Sequence, residues 1–242
     1  MLKSGALLSR LRDEVNQLIP ECAINIDAES AVWNEVSPEN IECLYAYLSL
    51  QYPEAGPRYW RSRGWGLLIW QPIYLAIIAA HKCRMLLPLN EMGQQFPKSG
   101  VPSGVLFRDC RFQQEQSNDC IRRMAVDLIV GCRKVYGCWN VSGLTQKIAD
   151  RVVADCVLAA LLMVYPQRVE KVEALGALWL SAMGLQGAAE FIRYRNMSGE
   201  SRLALHKKNC CFRYLCHGRV ACDICPRQTM DERLKRLIQT SI

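Results

Sequence analysis

Apolar side chains recur every three to four residues along most of this chain, the spacing of helices with one buried face. Leu2, Leu7, Leu8, Leu11, Val15 and Leu18 predict a helix over 3–19 that stops before Pro20. Ser37-Pro38-Glu39 is a helix start, a capping hydroxyl followed by proline at the first helical position. That helix carries Ile41, Leu44, Tyr45 and Leu48 and stops before Pro53. Residues 55–65 read as a polar, aromatic loop. Helix resumes near 65 and runs to about 86, kinked or broken at Pro72. The Pro- and Gly-rich stretch 88–103 reads as loop, and 105–112 as a strand.

The second half follows the same rhythm. Ile121, Met124, Ala125, Leu128 and Ile129 share one face of a helix that starts at Asn118. Residues 137–143 form a break, after which a long apolar helix runs to Tyr165 and stops at Pro166. A further helix carries Val169, Val172, Leu175, Leu178 and Trp179 and ends near Gly184. Residues 189–196 and 201–207 flank Met197-Ser198-Gly199-Glu200 and read as a β-hairpin. Thr229 and Glu232 form a capping box for a last helix with Leu234, Leu237 and Ile238. The pattern predicts a mainly α fold with minor β (α+β). A helical body over 1–188 precedes a hairpin and a small cysteine-rich segment over 189–242.

Composition narrows the class. Half of the residues are hydrophobic and 22% are charged, which excludes a disordered or collagen-like chain. The most apolar window, 64–80, is interrupted by Gln71-Pro72 and is shorter than the roughly 20 residues that a bilayer needs. It reads as a buried core helix, not a membrane span, and leaves room for peripheral membrane contact only. The N-terminal stretch carries Arg10, Arg12, Asp13 and Glu14 where a secretory signal would have an apolar core. Together with an odd cysteine count, 13, this points to reduced thiols and a cytoplasmic location.

Charge and cysteine converge on one segment. Residues 201–242 hold nine Lys or Arg and three acids, +6 of the chain's formal +7. The basic excess belongs to the tail and not to a nucleic-acid-binding face spread over the molecule. Five cysteines crowd into 210–225. The other eight (Cys22, Cys43, Cys83, Cys110, Cys120, Cys132, Cys138 and Cys156) are scattered and read as core packing.

The tail places Cys210 and Cys211 side by side, then ten residues, then Cys222-x-x-Cys225. A CxxC turn is the commonest local chelate for a metal. Four thiolates suit a tetrahedral zinc ion or an iron–sulfur cluster equally by number. Adjacent cysteines grip one zinc ion poorly, because neighbouring residues of an extended chain point to opposite sides. A wider two-iron cluster accommodates them more easily. Redox thiols at Cys222 and Cys225 are a third reading.

This ending resembles the C-terminal signature of ferric-siderophore reductases of the FhuF type. Cys210, Cys211, Cys222 and Cys225 carry the likeness, with Arg213 and Tyr214 just after the pair. Weaker likeness lies in the segment Trp60 to Ala80 and in Trp139-Asn140-Val141-Ser142-Gly143. The resemblance implies a [2Fe–2S] cluster on those four cysteines, with Cys216 a non-ligand and His217 a polar loop residue. It also implies one-electron reduction of Fe(III) in a hydroxamate-type siderophore, releasing Fe(II) in the cytoplasm. Hydroxamate oxygens hold Fe(III) far better than Fe(II), so reduction loosens the iron.

Arg213 and Arg219 are placed to stabilise the added negative charge of a reduced cluster. Arg58, Trp60, Arg61, Arg63 and Trp65 are candidates for holding the siderophore, with core packing of the two tryptophans as the competing reading. His81 reads as structural. Neither a Gly-x-Gly-x-x-Gly motif nor a phosphate loop is present, so electrons come from a separate ferredoxin or reductase. The rival readings are a non-catalytic four-cysteine zinc protein and a nucleic-acid-binding module.

Overall fold

The computed structural model describes residues 4–26, 33, 35–108, 112–114 and 118–240. The fold is mainly α with minor β. Helix α1 spans Ser4–Leu18 and turns Leu7, Leu8, Leu11 and Val15 into the core. Helix α2, Pro38–Gln51, starts where Ser37 Oγ accepts from the Asn40 N–H at 3.3 Å.

Helix α3, Gly56–Ile78, corrects two expectations. The stretch 55–65 is helix, not loop: Gly56 takes a φ of 71° to turn the chain, and Pro57 opens the helix. Pro72 lies inside a continuous helix. An internal proline costs about 3 kcal/mol. Fully buried Leu68, Ile69, Ile73 and Leu75 offset it, at about 1.5–3 kcal/mol per aliphatic side chain. A turn of π-helix over Ala79–Cys83 ends the run, and Arg84 closes it in the left-handed region. The whole segment Pro53–Cys83 is therefore long and apolar enough to cross a membrane, longer than the sequence suggested. Its most apolar window is 72% buried inside the protein.

Helices α4 (Asn118–Cys138), α5 (Gln146–Val164) and α6 (Val169–Ala182) complete the helical body. Helix α5 packs along α3, and Trp65 Nε1 donates to the Ala149 carbonyl between them. The stretch 88–103 is not all loop. Strand β3 (Met92–Gln95) pairs antiparallel with β4 (Gly104–Phe107), which pairs in parallel with β1 (Ala23–Ile26). Strand β4 is the shortened form of the strand expected over 105–112. A further small pair joins β2 (Met85–Leu86) to β5 (Gln113–Gln114).

The hairpin stands where the pattern put it, β6 (Glu190–Arg195) against β7 (Ser201–His206). It lies on α5 and α6, with Phe191 against Gly176 and Leu205 in the main core. The capping box also forms: the Thr229 N–H donates to Glu232 Oε2 at 2.8 Å, and the Glu232 N–H donates to Thr229 Oγ1 at 3.2 Å. It opens α7, Met230–Thr240. Among the scattered cysteines, Cys22, Cys83, Cys120 and Cys132 are buried, and Cys138 and Cys156 partly so. Cys43 is exposed on α2, which corrects its assignment to the core. Cys110 lies outside the described residues.

Candidate functional site

Strand β7 delivers the chain to the cysteine segment, which is irregular apart from one 3-10 turn at Arg213–Leu215. Phe212 takes a left-handed φ of 56°, and its N–H donates to Cys210 Sγ at 3.3 Å. The CxxC turn is closed by the Cys225 N–H donating to the Cys222 carbonyl at 2.9 Å.

The four cysteines are brought together as two pairs. Cys210 Sγ lies 3.9 Å from Cys225 Sγ. Cys211 is hydrogen-bonded to Cys222. The neighbours in sequence thus take different partners, one each from the CxxC turn. The Cys222 thiol donates to Cys211, and the Arg213 backbone N–H adds a second bond, so Cys211 is pulled down to about 5. Cys222 is pushed far up by the same shared proton and by burial. Cys210 rises to about 11 through burial, with Cys225 beside it.

Cys216 belongs to neither pair. It is buried against Ala55 and Tyr59, and burial together with a hydrogen bond to Cys216 pushes the Tyr59 phenol up to about 12. The backbone N–H of His217 donates to Glu54 Oε1 at 2.8 Å, which pins this loop to the start of α3. Arg236 on α7 holds the other side by donating to the Ala221 carbonyl at 3.0 Å.

A cavity of about 550 Å³ opens between α3, α5, the end of β7 and this loop. Cys210 and Cys211 stand in its wall with Lys207, Arg213 and Arg219. The aromatic side is Tyr59, Trp70 and Tyr74, all on α3. Asp155 on α5 and Asn209 beside the cysteine pair complete the polar lining. Burial holds the Asp155 carboxyl up at about 7, and Lys207, Arg151 and Lys208 oppose the rise without ending it.

Of the five residues expected to hold a siderophore, only Arg63 lines this cavity. Trp65 is 1% exposed and belongs to the core. Trp60 Nε1 donates to the Tyr52 carbonyl at 2.7 Å, and its ring meets Tyr45 edge-on. Arg61 packs over Gly143, and Arg58 is exposed and does not line the cavity. The sequence reading missed Tyr59, Trp70, Tyr74, Asp155 and Asn209. An acid inside the apolar run of α5 was the one available signal. Trp179 Nε1 donates to His81 Nε2 at 2.9 Å, a structural contact.

Among the described residues, no three His, Cys, Asp or Glu side chains converge as they would around a single metal ion. The donor set is instead two thiol pairs. Metal–sulfur bonds of about 2.3 Å in a tetrahedral site put neighbouring sulfurs roughly 3.8 Å apart. The 3.9 Å of Cys210 and Cys225 fits that edge. Thiols supplied two by two match a group with two metal atoms. No protein-family model matches the chain, and no solved structure matches its fold.

Proposed function

We propose that the protein is an iron–sulfur oxidoreductase that reduces Fe(III) in a hydroxamate-type siderophore, in the manner of the FhuF-type reductases its ending resembles. The observation that carries this reading is the pairing of Cys210 with Cys225 and of Cys211 with Cys222 beside a cation-lined cavity. These four side chains would hold a [2Fe–2S] group, two thiolates to each iron. When bound, that group supplies one-electron transfer at a potential tuned by nearby charge and hydrogen bonds.

The chain's own residues prepare such a centre. The N–H groups of Phe212 and Arg213 donate to the sulfurs of Cys210 and Cys211, which favours their anionic form. Lys207, Arg213 and Arg219 add positive charge on the cavity side. Positive charge beside an anionic centre favours its reduced state and also attracts a chelate whose oxygens carry negative charge. One electron converts the bound Fe(III) to Fe(II), which hard oxygen ligands hold less well, and the iron leaves. An external ferredoxin or reductase supplies that electron. The basic tail suits an acidic donor, with association that weakens as salt rises. The setting for this chemistry is the cytoplasm.

Anaerobically purified protein tests the reading directly. It should be reddish-brown, contain two irons and two acid-labile sulfides per chain, and bleach on addition of dithionite. Colourless protein, or protein that holds one zinc ion, would overturn it.

A further inference from the structure

The cavity contains two polar side chains that the fold leaves unsatisfied. Asp155 is only 8% exposed, and its Oδ1 has no hydrogen-bond partner. A buried carboxyl oxygen without a partner costs free energy that native structures seldom concede without a use. Asn209 is the second. Its Oδ1 accepts from Arg151 Nη1 at 3.2 Å, which fixes the orientation of the amide. Its Nδ2 is buried and donates to nothing. Two residues that carry an unmet acceptor and an unmet donor thus line one cavity of about 550 Å³, a volume within the roughly 300–1,000 Å³ of small-molecule sites.

The surroundings restrict what can satisfy them. Lys207, Arg63, Arg213 and Arg219 line the same space, so a ligand with a net positive charge is repelled. Tyr59, Trp70 and Tyr74 offer flat apolar faces to an uncharged linker. The matching group is neutral, carries one N–H and one C=O, and sits among methylenes. A secondary amide has that chemistry. Cys210 and Cys211 lie in the same wall, so a ligand held this way has its metal centre beside the thiols.

We infer that this cavity is the chelate-binding site, and that Asp155 and Asn209 select chelates with secondary-amide linkers by bonding the linker N–H and C=O respectively. The inference rests on the reading of the protein as a ferric-hydroxamate reductase. It adds the location of the site and the feature of the substrate that is recognised. Asp155 and Asn209 bind and orient the substrate and take no part in the electron transfer.

The test uses gallium(III) complexes, which are redox-inert, so binding is read separately from reduction. Two linear trihydroxamates serve as probes. One carries secondary-amide linkers, and its congener has the same linkers N-methylated. Calorimetry on the purified wild-type protein should give about tenfold tighter binding of the N–H chelate. In Asp155→Leu the two should bind alike, through loss of affinity for the N–H chelate alone. Equal affinity of the two probes for the wild-type protein would overturn the inference, whether or not the variant folds. So would a preference that survives in Asp155→Leu, or no binding of either probe up to millimolar concentration. Iron and sulfide content reports on the proposed function independently, so a protein with its cluster and no amide preference sinks this inference alone.

Discussion

Cys210 and Cys211 are joined by a single peptide bond and yet belong to different thiol pairs. The consequence is testable one residue at a time. If each pair serves one iron, Cys210→Ser and Cys225→Ser should share one altered electron-paramagnetic-resonance spectrum. Cys211→Ser and Cys222→Ser should share another, because a hard oxygen ligand placed on one iron perturbs that iron first. Spectra that group Cys210→Ser with Cys211→Ser would refute the pairing. Arg213 acts at the same scale. Its guanidinium is exposed at the cavity edge, so Arg213→Gln should lower the midpoint potential, on the order of tens of millivolts. A redox titration indistinguishable from wild type would remove Arg213 from the tuning role. Such residue assignments were partly legible beforehand, because the CC-x10-CxxC spacing is local. Which thiol faces which was not, since it depends on how a ten-residue loop folds back.

At the scale of elements, close helix contacts set the tolerances. On α4, a Cβ at Gly131 would lie 2.2 Å from Trp33 Cζ2, and the Trp33 ring is anchored by its Nε1 donating to the Leu89 carbonyl at 2.9 Å. Gly131→Ala should therefore destabilise the protein by about 1–3 kcal/mol, the usual cost of overpacking, measurable by urea unfolding. Gly100 is as constrained: its φ is +70°, and a Cβ there would lie 2.4 Å from the Leu44 backbone nitrogen.

The joint between the end of α3 and α6 should be pH-sensitive. Burial, with Lys171 nearby, pulls the His81 imidazole down to about 4 from an ordinary value near 6.5. A depressed folded value gives stability that is complete above about 6.5 and lost as the pH falls towards 4. Thermal melts should record that loss, on the order of 3 kcal/mol, and His81→Gln should flatten the profile across that window. A variant that keeps the wild-type pH profile would place the acid sensitivity elsewhere.

The whole molecule separates its main apolar core from its thiol centre. The main buried cluster runs from Leu7 to Leu205 and includes none of Cys210, Cys211, Cys222 and Cys225. Stripping metal from the purified protein with a chelator under reducing conditions should leave far-UV circular dichroism almost unchanged. It should also open 209–228 to proteolysis while the helical body resists. Collapse of the helical signal on metal removal would mean that the centre nucleates the fold. The same division explains which features were legible in the sequence. The basic charge and the clustered cysteines sit together in the last forty or so residues, whereas the cavity draws on α3, α5 and β7, far apart along the chain. Arg58 to Trp65 looked like a binding loop because arginines and tryptophans alternate there. Once the stretch is helical, its residues point to different sides, and of its arginines and tryptophans only Arg63 reaches the cavity.

By itself the sequence determined the helical class, the hairpin, the capped last helix and the crowding of cysteines in the tail. Each of these rests on spacing within a few turns of chain, where periodicity and capping chemistry act. Only tertiary structure decided that Pro72 stays inside a helix, where surrounding burial outweighs a local cost. Tertiary structure likewise buried Cys216 against Tyr59. It left Asp155 and Asn209 with unmet hydrogen bonds in one cavity. Those outcomes are set by contacts between segments distant in sequence, and no local pattern encodes them.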